Sequence, residues 1–141
     1  MRIFLIFVFV LICTFTSFAQ TQTKLPTNIA KWSNQDSLKL LNNVAIKSRL
    51  KKLLGTKNYA DFLESWETVN PIVKKGNFLF SSGCLIHACG HAESAIAIDL
   101  VNQTVHAGIF RDEAKTKYFN EKSRKTPSTI KNWANRLVAN K

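Results

Sequence analysis

The chain has 141 residues, with 20 lysines and arginines against nine aspartates and glutamates, a formal net charge of +11 and 45% apolar side chains. That length and apolar content suit one domain with a buried core, and the absence of internal periodicity or biased tracts excludes a repeat array and a low-complexity polymer. The positive balance reads first as a solvated basic surface, and beyond that as an attraction for anionic partners.

Met1-Arg2 supplies a positive start, Ile3 to Cys13 is an almost unbroken apolar run, and Ser17-Phe18-Ala19 has the small-x-small form of a processing site. Residues 1–19 therefore read as a secretory signal peptide cut before Gln20. The apolar run is short for a retained anchor, and Ile12 precedes Cys13 where lipid attachment needs a small residue. Removal leaves 122 residues, a net charge of about +10 and two cysteines, Cys84 and Cys89, in an environment where disulfides persist. Export argues against nucleic acid as partner and in favour of anionic cell-envelope glycan.

Residues 20–35 are polar and irregular and read as a flexible lead-in. Asp36 is a candidate N-cap for a helix in which Leu40, Leu41, Val44, Leu50, Leu53 and Leu54 recur with helical spacing, and Gly55 suits its end. Asn58 is a candidate cap for a shorter helix whose Tyr59, Phe62, Leu63 and Trp66 fall on one face. Pro71 closes that segment and β signals follow. Asn77 to Ser81 is apolar and aromatic. Ile96, Ile98 and Leu100 alternate with Ala95, Ala97 and Asp99, and Val105, Ala107 and Ile109 alternate with His106, Gly108 and Phe110. Residues 101–104 turn the first of these strands back on the second. Lys117 to Glu121 is a further strand candidate. Thr126-Pro127 opens a last helix with Ile130, Trp133, Ala134, Leu137 and Val138 inward. The pattern predicts an α+β fold, an antiparallel sheet with helices packed on it.

On this map the segment Ser82-Gly83-Cys84-Leu85-Ile86-His87-Ala88-Cys89-Gly90 joins two strands and projects from the end of the sheet, where rigid scaffolds present functional loops. If the two cysteines are joined, the backbone between them is a small stiff loop carrying an imidazole. So short a closure contributes only about 2 kcal/mol in the chain-entropy model, so preorganisation of the loop explains it better than global stability. Other readings use the same residues. The bridge could simply tighten a hairpin with His87 incidental on the surface. Cys84, His87, Cys89 and His91 are zinc-ligand types, and a cysteine thiolate beside His87 or His106 is a nucleophile–base pairing. Export favours oxidised sulfurs over both of the latter. His106 lies on the face opposite Val105 and reads as structural or solvent-facing. Asp99 and Glu93 read as strand-edge charges, and His91 as an extension of the loop surface.

The spacing Cys84-x-x-His87-x-Cys89 between two strands of an exported domain resembles the inhibitor of vertebrate lysozyme (Ivy) family. The likeness continues through Gly90, the alternating strand ending in Asp99, the strand from Val105 to Phe110, Tyr118, and Pro127 leading to Trp133. It covers roughly residues 36–138 and is most specific over 83–110. The resemblance implies a single domain over 36–141, with a central antiparallel sheet of about five strands flanked by helices. It implies a Cys84–Cys89 disulfide and an inhibitory loop of Cys84, Leu85, Ile86, His87, Ala88 and Cys89. It makes His87 the key residue that enters an active-site cleft. It also implies a periplasmic or secreted inhibitor rather than an enzyme, with no catalytic residue, metal or cofactor of its own. Its partner is then a lysozyme or another muramidase, and a homodimer is known in parts of the family. The sequence departs from the family loop at three positions: Leu85 and Ile86 stand where a lysine and a proline are usual, and Ala88 where an aspartate is. The alternative of a different class is a non-inhibitory module of the same fold that binds peptidoglycan through its basic surface.

Overall fold

Asn43 divides the first helical stretch in two. Its backbone is extended, and its Oδ1 accepts the N–H groups of Ala45 and Ile46 at 3.1 and 3.2 Å, so helix α1 (Leu38–Asn42) ends and α2 (Val44–Glu64) begins with a new cap. The restart breaks the phase of the leucine stripe. Val44, expected inward, is 81% exposed, whereas Leu40, Leu41, Leu50 and Leu54 are buried. Asp36 acts one step earlier, its Oδ1 accepting the Leu38 N–H at 2.8 Å. Gly55 adopts φ 69° and interrupts α2 where the sequence predicts an end, but helix resumes at once. Asn58, expected as a cap, bridges the interruption by donating from Nδ2 to the Leu54 carbonyl at 2.9 Å. Tyr59, Phe62 and Trp66 are buried and Leu63 lies on the exposed flank.

These elements belong to a computed structural model that describes residues 22–112 and 114–140. The signal-peptide reading of residues 1–19 lies outside them. From Gln22 onward, the segment read as a lead-in buries Leu25, Ile29 and Trp32 in the core, and the Asn34 N–H donates to the Ile72 carbonyl.

The sheet is antiparallel and has six strands: β1 (Thr68–Val69), β2 (Val73–Lys75), β3 (Phe78–Cys84), β4 (Ala92–Asp99), β5 (Thr104–Arg111) and β6 (Ala114–Asn120). Its order is β1-β3-β4-β5-β6, with β2 beside β1 on the same edge of β3. The two short strands are additions to the expected sheet, and β6 starts three residues before the predicted one. The alternation in β4 and β5 faces two layers rather than core and water. Leu79, Ile96, Ile98, Val105, Ala107 and Ile109 pack under α1, α2 and the N-terminal segment. Phe80, Ala95, Ala97 and Phe110 pack under helix α3 (Ser128–Ala139) through Ile130, Trp133 and Ala134.

Gly108 is needed for that second layer, because a Cβ there would lie 2.8 Å from the Trp133 ring and 3.0 Å from Ile130 Cγ2. Val138, expected on the inner face of α3, is exposed in its last turn, and Leu137 is half-buried. The start of α3 also differs in detail. Thr126 accepts a hydrogen bond from Asn120 Nδ2 instead of capping, and Pro127 precedes the first helical residue.

The end of the sheet away from Cys84 is closed by Asp99. Its Oδ1 accepts the N–H groups of Val101 and Asn102, both at 2.9 Å, and Oδ2 accepts Asn102 Nδ2 at 2.7 Å, shaping the β4–β5 turn. Burial pushes its pKa up, but the hydrogen bonds from Asn102 and Val101 and the nearby His106 more than offset this, and the carboxyl sits below its ordinary value. His106 is buried beside α3, on the face the alternation assigns it. Its Nδ1 lies 2.8 Å from Asn120 Oδ1 and its Nε2 3.0 Å from the Thr104 hydroxyl, while the Asn120 amide nitrogen donates to Thr126. His106 is thus structural.

Candidate functional site: a closed loop at the end of the sheet

β3 delivers Cys84 to the rim of the sheet as a buried residue, and the chain leaves the ladder there until Ala92 re-enters it. Cys84 and Cys89 are joined by a disulfide with their Cα atoms 5.0 Å apart. Inside the closure the Leu85 N–H donates to the Ala92 carbonyl at 3.0 Å and the Ala88 N–H to the Leu85 carbonyl at 2.9 Å. The second of these bonds closes a tight turn with His87 in its third position. His87 has φ 61°, the left-handed value a type II turn demands there, usually of glycine. A histidine in that conformation stores about 1–2 kcal/mol of backbone strain.

The turn carries the imidazole outward. Ile86 is 55% exposed and His87 is exposed, while Leu85 and Ala88 are half-buried flanks. Gly90, at φ 87°, and hydrogen bonds from the His91 and Ala92 N–H groups to the Ala88 carbonyl fold the chain back into β4.

The loop does not stand alone. Glu67, in the link between α2 and β1, accepts the Ile86 N–H on Oε2 at 2.9 Å. Gly83 permits that approach, because a Cβ there would lie 2.6 Å from the Ser65 carbonyl oxygen. Glu93, the register partner of Cys84, accepts the Gly90 N–H on Oε1 at 2.8 Å and Trp133 Nε1–H on Oε2 at 3.0 Å. His91 Nδ1 meets Asp112 Oδ2 at 2.6 Å, and the Asp112 N–H donates to the His91 carbonyl, which fastens the loop base to the β5–β6 turn. Arg111 ties the same rim to the end of α2 through Ser65 Oγ at 2.9 Å and the Asp61 carbonyl at 2.7 Å.

The structure therefore brings Cys84, Leu85, Ile86, His87, Ala88 and Cys89 together as one projection with His91 at its base, and sets His106 apart in the core. Glu93, read as a strand-edge charge, is instead half-buried and fully engaged. Glu67, Asp112 and Arg111 carry no sequence signal, since each acts through a contact between distant segments. The zinc reading loses its ligands, because both sulfurs are spent in the disulfide. Among the described residues no group of three or more histidine, cysteine, aspartate or glutamate side chains is arranged to hold a metal ion. A depression of about 620 Å³ lies at the opposite end, lined in part by Lys24, Leu25, Arg49, Gln103 and Lys122. Its arginine is committed to Glu121 and to the Thr23 and Gln103 carbonyls. The loop end presents the exposed side chains of Ile86 and His87 on a turn closed by the disulfide.

The model of the family described as inhibitor of vertebrate lysozyme (Ivy) matches residues 45–140. No curated protein and no solved structure matches the chain.

Proposed function

The chain belongs to the inhibitor of vertebrate lysozyme family, and from that premise we propose that it is an exported, non-catalytic protein that blocks a lysozyme or related muramidase by inserting the Cys84–Cys89 loop into its active-site cleft. The observation that carries this reading is the exposed placement of His87 at the turn of a disulfide-closed loop.

Retaining glycosidases hold two carboxyl groups about 5 Å apart, one protonated as general acid and one ionised. A neutral imidazole matches that pair, because one ring nitrogen donates to the carboxylate and the other accepts from the acid. A protonated ring gives two charge-assisted donations instead. Leu85, Ile86 and Ala88 add apolar cover along the cleft walls and exclude the sugar chain. The closure and its hydrogen bonds reduce the conformational freedom lost on docking, which is where a stiff loop gains affinity.

The test measures cell-wall lysis by c-type, goose-type and endogenous muramidases in the presence of the intact protein, the His87→Ala variant and the reduced protein. Inhibition by the intact protein that is lost in both altered forms supports the mechanism. Inhibition that survives in both refutes it.

The basic surface favours a second reading, an envelope-binding module of the same fold. Lys47, Lys51 and Lys52 are exposed along α2, far from the loop in sequence. Binding to peptidoglycan that weakens with salt and is indifferent to His87→Ala would select this reading.

A further inference from the structure

Closing a ring through two sulfurs fixes the ends of the loop, and the orientation of its two shoulders depends on further contacts. In this chain each shoulder meets a carboxylate. On the ascending side the Ile86 N–H, adjacent to His87, points to Glu67 Oε2 at 2.9 Å. On the descending side the Gly90 N–H points to Glu93 Oε1 at 2.8 Å. Glu93 is engaged on both oxygens, because the other one takes Trp133 Nε1–H at 3.0 Å. That links the descending shoulder to helix α3, while Glu67 links the ascending one to the end of α2.

We propose that Glu67 and Glu93 are positioning residues that hold the loop in one pose from both sides, so that the direction in which His87 points is set by these carboxylates and not by the disulfide alone. The proposal concerns the pose itself, and it rests on the inhibitor reading only for its effect on a target enzyme. Its chemistry is specific. Bonds from N–H groups to a carboxylate are charge-assisted and stronger than those to a neutral amide. Glu67 serves one donor, so a glutamine can replace it in part through its single carbonyl oxygen. Glu93 serves two donors from different elements, one on each oxygen. A glutamine there keeps an oxygen at only one of those two positions and sets its NH2 group against the donor at the other, Gly90 or Trp133.

The experiment uses the mature, oxidised protein and its Glu67→Ala, Glu67→Gln and Glu93→Gln variants. It reads hydrogen exchange at the Ile86 and Gly90 amides and at the Trp133 indole, together with thermal midpoints and inhibition of a c-type lysozyme. Glu67→Ala is expected to speed exchange at Ile86 by roughly ten-fold, with Glu67→Gln recovering part of the protection. Because Glu67 is exposed, both variants should keep the native melting temperature. Glu93→Gln is expected to release either the Gly90 amide or the Trp133 indole, and to leave the other protected. Inhibition should weaken in the same order as protection is lost. Native exchange rates at Ile86 and Gly90 in all variants would overturn the proposal, as would loosened shoulders with undiminished inhibition. A native protein that inhibits no muramidase would remove the inhibitor reading, and the exchange rates would then decide the brace by themselves.

Discussion

Replacing His87 separates what the loop costs from what it does, because two substitutions at one position move stability and inhibition in different directions. His87 holds φ 61°, which costs a residue with a Cβ about 1–2 kcal/mol relative to the right-handed region. His87→Gly removes that strain and adds about 0.5–1 kcal/mol of unfolded-state entropy, so the net stabilisation centres on about 0.75 kcal/mol within a range of about 0–1.5 kcal/mol. In a domain of this size that raises the melting temperature by about 2–4 °C. His87→Ala keeps the Cβ and the strain, and should melt within about 2 °C of the native protein.

Neither variant has an imidazole. The hydrogen bond to the ionised carboxylate is worth about 1.5–3 kcal/mol and the one from the protonated acid about 0.5–1.5 kcal/mol, so losing both weakens inhibition by at least about 30-fold in both variants. Calorimetry of the three proteins alongside a lysis assay against a c-type lysozyme measures both quantities. If glycine destabilises the protein, the backbone argument is wrong. If either variant inhibits within three-fold of the native protein, the imidazole is not the key.

Asp99→Asn replaces a carboxyl whose pKa is lowered in the folded state, so the native advantage exists above the ordinary carboxylate range and disappears as pH falls through the lowered pKa. A urea-denaturation series against pH should show the variant weaker by about 1 kcal/mol near neutrality, with the two curves converging in acid. Gly108→Ala drives a methyl group into the Trp133 ring and Ile130, two buried side chains of α3, and should cost about 1–3 kcal/mol in the same denaturation assay with a change in tryptophan fluorescence. Arg49→Ala strands Glu121, whose carboxylate otherwise pairs with the guanidinium and accepts the Val105 N–H at 2.7 Å. The expected loss is about 3–5 kcal/mol, with loop inhibition unaffected at temperatures where the variant stays folded.

The strands with a readable period were legible in the sequence, and the elements decided by single side chains were not. β4 and β5 are each eight residues long, and their alternation specified both the hairpin and which residues share a face. β1 and β2 are two and three residues long, too short to show a period, and exist because β3 offers them an edge. The leucine stripe predicted one helix through residue 54, but Asn43 can cap as well as continue, and tertiary packing chose the cap. The burial of Leu25, Ile29 and Trp32 was hidden for a different reason. Three apolar side chains spread through a polar segment give no periodic signal, and they pack because α1, α2 and the sheet leave a surface for them.

The loop was legible in its covalent outline, since two cysteines and one histidine fix a ring and what it carries. Its posture was not. Left-handed backbone at His87 follows from the turn closed by the Leu85 carbonyl, and nothing in the identity of a histidine announces it. Glu67 lies 19 residues from the amide it holds, and Glu93 reaches a tryptophan 40 residues away. Spacing cannot predict such bonds. They also explain how the strain at the tip is tolerated. A strained residue persists only where its surroundings outweigh its local preference, and here one disulfide, two carboxylates and the β3–β4 ladder all constrain the segment from Cys84 to Gly90. Removing any one of them should let the turn relax and point the imidazole elsewhere, so the posture of His87 is a property of the whole rim and not of the ring of atoms that closes it.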